Sequence, residues 1–247
     1  MVVQPKRSKP QEDRCYWCGS TDPDGRDHVF PASLFLSPRP ANLITVPACD
    51  LHNAVFSRDE EYFRDFILSG CYSHPEARRL WKEKTVSAIR RKPSYRALLA
   101  GQLQRLELRT PAGLSLGALV SLAGDRERIR TVLRKIVRGL FYHHIGEPLG
   151  PVRVFFDQVR GDRPPPDAVA DVVRALPRFD LGHVRYWYGG AAEDPAVLMG
   201  AVSFFSRMMF VFGARPDARD DRTDLPRQRR RGGGGLWLPE RGTRSAS

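Results

Sequence analysis

The stretch CYWCGSTDPDGRDHVFPASLFLSPRPANLITVPACDLHN, which runs from Cys15 to Asn53, decides how the chain is interpreted. It opens and closes with a pair of possible metal ligands that two other residues separate, and these ligands are Cys15, Cys18, Cys49 and His52. Structural zinc sites take four nitrogen or sulfur ligands in a tetrahedron, commonly as two such pairs. Three of the four cysteines lie here, which favours a structural zinc site over two chance pairs of buried residues. Zn–S bonds of about 2.3 Å would place the sulfurs about 3.5 to 4 Å apart.

Three residues inside this stretch carry groups that hydrolysis of a phosphodiester bond requires. A histidine such as His28 can act as a general base at neutral pH when another group holds its tautomer. Oxygens of Asp27 and Asn53 can hold one hydrated Mg²⁺ or Mn²⁺ with positions left open for phosphate oxygens. Neighbouring side chains of an extended strand point to opposite sides, so Asp27 and His28 need a bend or a strand end to face one phosphate.

The order of these residues resembles the HNH endonuclease family, whose core is the ββα-metal, or His-Me, finger. The shared motifs are C-x-x-C, D-H-x-x-P, N-L and C-x-x-H-N, and the resemblance extends from Cys15 to about Phe66. It implies that His28 is the general base, while Asp27 and Asn53 hold the catalytic cation. It also implies that Asn42 pins the loop that orients this histidine. In the family, zinc ligand pairs clamp the two ends of the finger, and the helix that follows lies along a DNA groove.

Two positions depart from the family pattern. The second ligand pair is usually C-x-x-C, whereas its last member here is His52, an exchange that zinc accepts. The loop between His28 and Asn42 usually contains a Gly-Gly turn, and here it contains Ser37-Pro38-Arg39-Pro40. This difference changes the loop by which a substrate would approach, but it leaves the chemistry of the motif intact.

Composition indicates a globular protein that binds a polyanion. The chain has 247 residues with 41% hydrophobic content, which is enough for one or two domains with a sizeable core. Its 40 Lys and Arg against 28 Asp and Glu give a formal net charge of +12. Charge alone does not separate DNA, RNA and acidic membrane as partners. The family resemblance makes double-stranded DNA the expected partner.

The sequence favours a cytoplasmic protein. The start from Met1 to Lys9 is polar and basic with no apolar stretch behind it, unlike a secretory signal. The longest apolar run, Ala196 to Phe212, is interrupted by polar residues and is too short to span a bilayer. Cysteines in a reducing compartment favour metal binding over disulfides.

The predicted fold class is α+β, with an N-terminal zinc-clamped ββα-metal finger, further helices and a second, mixed α+β domain. We divide the chain into a polar lead-in (1–14), a nuclease domain with flanking helices (15–100), an α+β domain of unassigned role (110–215) and a disordered Arg- and Gly-rich tail (216–247).

Apolar periodicity predicts three helices within the first 145 residues. One runs from Ala54 to Gly70, and one runs from a capping pattern at Ser73 to Lys92. The clearest helix spans Asp125 to Ile145 and ends at Gly146. Further along, the sequence predicts strands at 152–156 and 184–188, a short helix at 167–176 and a strand or hairpin at 197–212.

The polar side of the helix from Asp125 to Ile145 is strongly basic. A row of one sign can follow a phosphate backbone, but it can equally be a solvated face. The candidate nucleic-acid contacts are Arg126, Arg130, Arg134, Lys135 and Arg138. The acidic run Asp59-Glu60-Glu61 fits the preference of a helix N-terminus for acids, with a contact to the catalytic site as the alternative.

The sequence leaves three functions open. The first is a metal-dependent endonuclease. The second is a non-catalytic zinc module that binds nucleic acid, in which Asp27 and His28 serve structure alone. The third is an adaptor whose second domain carries the activity. The joint presence of Asp27, His28, Asn42 and Asn53 favours the first, since a binder does not require all four.

Overall fold

A computed structural model describes residues 13–110, 112–159 and 166–217 of the chain. These residues form a mixture of helices and antiparallel sheets, which confirms the predicted α+β class. Nearly all of the predicted lead-in and tail lie outside the described residues.

The N-terminal part is a short hairpin followed by helices. Strands β1 (Gly25–His28) and β2 (Thr45–Ala48) pair antiparallel, with Gly25 opposite Ala48 and His28 opposite Thr45. Helix α1 (Asp50–Ala54) begins directly after Cys49. Helix α2 (Ser57–Gly70) then crosses the core and ends at the glycine that the sequence predicts as its stop.

A second helical segment runs from residue 75 to residue 100. It consists of α3 (Pro75–Leu80), a π-helical turn (Trp81–Thr85), α4 (Val86–Arg91) and α5 (Pro93–Ala100). The wider turn explains the burial pattern, which steps by three, five and three residues through Ala77, Leu80, Thr85 and Ala88. The extra residue in the π turn keeps the later positions on the buried side.

Helix α6 (Arg126–Ile145) is the central helix of the protein. The side chain of Asp125 accepts hydrogen bonds from the backbone N–H groups of Glu127 and Arg128, and Gly146 ends the helix at φ +91°. These caps confirm the predicted boundaries. Except for Arg134, every residue from Thr131 to Tyr142 is buried, because α6 packs against α2, β2 and β5.

The C-terminal part is a five-stranded antiparallel sheet in the order β5-β9-β8-β7-β6. Its strands are β5 (Val152–Val159), β6 (Arg178–Leu181), β7 (Val184–Gly190), β8 (Leu198–Phe204) and β9 (Met208–Pro216). The predicted hairpin is confirmed as β8 and β9, and the predicted short helix as α7 (Asp167–Ala175). The sequence did not predict β6, α5 or the separate hairpin of β3 (Leu103–Arg109) and β4 (Ser115–Leu122).

One continuous cluster of buried apolar side chains runs through both predicted domains. It includes Phe30 and Phe63 from the N-terminal part and Tyr186 and Phe204 from the sheet. The rings of Phe63 and Phe204 meet edge to face at 5.6 Å, and those of Phe30 and Tyr186 lie 5.7 Å apart. The hairpin is therefore anchored on the sheet and α6. None of the described helices is both long enough and apolar enough to cross a membrane.

Candidate metal centre and adjoining inner site

The four predicted zinc ligands converge. Their ligand atoms all lie within 4.8 Å of one another, and no other group of His, Cys, Asp and Glu in the described ranges forms such a cluster. Cys15 Sγ lies 3.8 Å from Cys49 Sγ and 3.8 Å from His52 Nδ1. His52 Nδ1 lies 2.9 Å from Cys49 Sγ.

Local backbone geometry presents each ligand pair. In the first pair, the amide N–H of Gly19 donates to the carbonyl of Cys15 at 2.9 Å, and Gly19 adopts φ +78°. That left-handed conformation suits glycine and turns the chain back after Cys18. In the second pair, Cys49 caps α1 and His52 lies in the first turn of the helix, which puts both on the same side.

The donor set fits a structural zinc ion. The sulfur–sulfur distance of 3.8 Å is within the range of about 3.5 to 4 Å that two thiolates on one zinc require. Burial raises the pKa of the Cys15 thiol, but hydrogen bonds from His52 and the backbone outweigh burial and lower it to about 6. Zinc binds the thiolate form. Cys15, Cys18, Cys49 and His52 are therefore compatible with one tetrahedral Cys₃His site.

The carboxylate of Asp27 is buried and hydrogen-bonded by the protein. Oδ2 accepts from the Tyr16 hydroxyl at 2.9 Å, and Oδ1 accepts from Lys135 Nζ at 3.0 Å. Burial first, and then the charge of Asp27, raise the pKa of Tyr16, so this hydroxyl keeps its proton and acts as a donor. Asp27 thus points into the protein, toward α6.

Lys135 connects three groups around the end of β1. Besides Asp27, its ammonium donates to the backbone carbonyl of His28 at 2.7 Å and to the carboxylate of Glu60. Its side chain is 1% exposed. When all three side chains are ionised, Asp27, Glu60 and Lys135 together carry one net negative charge.

His28 is more exposed than the buried Asp27 beside it. It is the last residue of β1 and is partly exposed, in agreement with the predicted strand end. Burial lowers the pKa of His28, the charges of Arg39 and Lys135 lower it further, and Asp27 opposes them. A lowered pKa leaves the imidazole neutral and able to accept a proton at neutral pH.

Asn53 lies close to the strand face that holds Asp27. Its Nδ2 is 4.0 Å from the position that a Cβ would take on Gly25, and its side chain is exposed. Gly25 and Asp27 are two residues apart on β1 and so share one face.

Asn42 makes its contact with another part of the protein. Its Nδ2 donates to the backbone carbonyl of Asp180, in β6, at 3.0 Å. This hydrogen bond ties the loop between β1 and β2 to the five-stranded sheet, and the role of Asn42 in orienting His28 stays a prediction.

The structure corrects two of the predicted nucleic-acid contacts on α6. Lys135 is buried against Asp27 and Glu60, and Arg138 is 0% exposed. Arg138 donates to the carbonyl of Leu149 at 2.6 Å and lies over the ring of Trp17 at 5.2 Å. A phosphate backbone cannot reach either residue. Arg126 and Arg130 are exposed and Arg134 is partly exposed, so a contact there stays a prediction.

Sequence reasoning did not find the residues that surround Asp27. Tyr16 lies between the first two zinc ligands, and Lys135 lies 108 positions further along the chain than Asp27. The acidic run at 59–61 includes Glu60, but the sequence does not show whether this residue favours the helix N-terminus or contacts the site. The structure shows the contact, because Lys135 lies against Glu60. Comparisons of the chain with protein-family models, with curated proteins and with solved structures found no match.

Proposed function

We propose that the protein is a metal-dependent HNH-type endonuclease that hydrolyses phosphodiester bonds in double-stranded DNA. In this proposal β1, β2 and α1 form a ββα-metal finger, held by zinc on Cys15, Cys18, Cys49 and His52. His28 is the general base. Asp27 and Asn53 hold a Mg²⁺ or Mn²⁺ ion.

The observation that carries the proposal is the placement of His28. A partly exposed imidazole with a lowered pKa ends β1, and Lys135 fixes its backbone carbonyl. The helix that follows β2 carries an exposed Asn53, whose Nδ2 lies 4.0 Å from the position that a Cβ would take on Gly25 of β1. A general base and oxygen ligands for a cation are the groups that phosphodiester hydrolysis requires of a protein.

The reaction then follows from these groups. His28 takes a proton from a water molecule, whose oxygen attacks the phosphorus of the scissile phosphate. The bond from phosphorus to the leaving deoxyribose oxygen breaks, and that oxygen takes a proton from a solvent water molecule as it departs. One product ends in a phosphate and the other in a hydroxyl. When bound, the divalent cation supplies positive charge to the phosphate and to the leaving oxygen.

The residues around Asp27 suit a divalent cation in charge and in donor type. Each carboxylate oxygen of Asp27 accepts one hydrogen bond and keeps a second lone pair. When all three are ionised, the group of Asp27, Glu60 and Lys135 has one net negative charge, so an added cation meets an acidic site even beside the ammonium.

The test is whether turnover requires a second metal in addition to zinc. Zinc-loaded protein is incubated with supercoiled plasmid, single-stranded DNA or RNA, with Mg²⁺, with Mn²⁺ or with neither. We expect nicked or linear plasmid only with added Mg²⁺ or Mn²⁺. Asn53 is exposed, so Asn53→Ala should reduce cleavage at least tenfold without changing the melting temperature. No cleavage of any substrate with either metal would overturn the proposal.

A second function is favoured by the burial of Asp27. A carboxylate that is 5% exposed and bonded to both Tyr16 and Lys135 serves packing without any cation. On that basis the protein would be a non-catalytic zinc-containing protein that binds nucleic acid or acts as an adaptor. It would bind DNA in a salt-sensitive manner without turnover, and His28→Ala would leave binding unchanged.

A further inference from the structure

The helical segment from residue 75 to residue 100 carries a dense group of exposed cations. It has eight Lys and Arg and two Glu, and all eight cations are exposed. Arg79 pairs with Glu83, and Lys92 pairs with Glu61 of α2. The other six form no ion pair with any described residue. These six residues, which we term the basic helical surface, are Arg78, Lys82, Lys84, Arg90, Arg91 and Arg96.

We propose that the basic helical surface binds the phosphate backbone of duplex DNA and presents that DNA to the inner site. This inference deepens the proposed nuclease function and rests on it for the identity of the partner. It transfers the role that the sequence assigned to α6 onto a segment that the sequence did not single out.

The geometry of the segment suits a phosphate backbone. Arg78 and Lys82 are four residues apart and lie on one flank of the helix, and the extra residue of the π turn keeps Arg90, eight residues later, near that flank. From Arg78 to Arg91 the helix extends about 20 Å at 1.5 Å per residue. That length covers about six phosphates of one duplex strand at 3.4 Å per phosphate.

The position of the segment links it to the inner site. Lys92 donates to both carboxylate oxygens of Glu61, at 2.7 and 2.9 Å. The preceding residue, Glu60, contacts Lys135, which in turn binds Asp27 and the carbonyl of His28. Glu60 and Glu61 are consecutive residues of α2, so the helical segment and the inner site contact neighbouring positions of one helix.

The burial pattern favours DNA over an anionic membrane. A helix that binds a membrane surface needs its apolar face free to enter the lipid. Here the apolar face, which includes Ala77, Leu80 and Ala88, is buried against the rest of the protein. None of the large exposed apolar side chains of the described residues lies between residues 75 and 100.

The test compares two triple variants of the full-length protein. One variant is Arg78→Gln, Lys82→Gln and Arg90→Gln, on the basic helical surface. The control is Arg153→Gln, Arg174→Gln and Arg178→Gln, which removes the same charge from exposed residues that pair with Asp217, Asp171 and Asp180. Binding to a 30-base-pair duplex is measured by fluorescence anisotropy at several salt concentrations, without added Mg²⁺ or Mn²⁺.

We expect the first variant to bind DNA about 10- to 100-fold more weakly near 0.15 M salt, with a salt dependence reduced by about two to three units. The control should stay within about threefold of the parent. Equal binding by the two variants would overturn the inference. It would also be overturned if the first variant lost binding to phosphatidylglycerol vesicles but kept its affinity for DNA.

The outcomes for this surface and for the nuclease are separable. Binding that depends on the surface, without cleavage by the parent protein, would support the surface and contradict the nuclease. Cleavage by the parent protein, with equal binding by both variants, would support the nuclease and contradict the surface.

Discussion

The four outer ligands and the inner residues of the same hairpin differ in the partners they have. Cys15, Cys49 and His52 contact one another, so their arrangement has a single centre. The inner residues point to separate places: Asp27 to Lys135, and Asn42 to Asp180 of β6. Three sulfur atoms and one imidazole nitrogen that converge within 4.8 Å of one another indicate a metal site. Residues tied to distant elements also stabilise the fold, and their catalytic role needs its own test.

The largest expected effect comes from removal of an outer ligand. Cys49→Ser should abolish zinc binding and lower the melting temperature by more than about 10 °C, because structural zinc contributes directly to folding free energy. Zinc per chain is measured by mass spectrometry and unfolding by circular dichroism.

Cys71→Ser is the matched control for the zinc ligand. Cys71 is buried and donates to the carbonyl of Phe204 at 3.6 Å, a bond that serine can also make. The Cys71→Ser variant should keep one zinc per chain. A Cys49→Ser variant that also kept its zinc would contradict the Cys₃His site.

The next largest effect is expected on stability when Lys135, which contacts Asp27 and Glu60, is replaced. Lys135→Met should reduce the free energy of unfolding by about 3 to 5 kcal/mol, because Asp27 and Glu60 would lose their buried counter-charge. Urea denaturation measures the change. Arg130→Met is the control on the same helix, where an exposed pair with Glu127 at 3.1 Å should contribute less than about 1 kcal/mol.

A double-mutant cycle would separate the contribution of the contact between Asp27 and Lys135 from the other effects of replacing the buried Lys135. Asp27→Asn combined with Lys135→Met should show a coupling of about 1 to 3 kcal/mol. Additive effects would mean that Lys135 acts through Glu60 and the carbonyl of His28, and not through Asp27.

The smallest expected effect distinguishes two exposed asparagines. Asn42→Ala should reduce the free energy of unfolding by about 1 kcal/mol, the typical contribution of one hydrogen bond, and should change cleavage less than threefold. Asn53→Ala should leave stability unchanged and reduce cleavage. If cleavage depends on Asn42 as strongly as on Asn53, the loop that Asn42 pins directly orients the base.

Local signals in the sequence predicted the parts of the fold that depend on them. Asp125 and Gly146 cap α6 through contacts with residues that are close to them in sequence. The spacing within the two ligand pairs likewise reflects the geometry of one metal ion. The burial of Lys135 depends on two acids that arrive from β1 and α2, and no local pattern contains that information. The sequence therefore predicts where α6 begins and ends, but it does not predict which of the basic residues of this helix are buried. Likewise, β6 is a strand of four residues whose position depends on pairing with β7.

The most direct test of the central claim is cleavage by His28→Ala, with zinc content measured on the same sample. The central claim is that zinc holds the hairpin while His28 activates water. We predict one zinc per chain, an unchanged melting temperature and a cleavage rate lower by about 10²- to 10⁴-fold, the usual contribution of a general base. A zinc-loaded His28→Ala protein that cuts DNA at the parental rate would contradict the account.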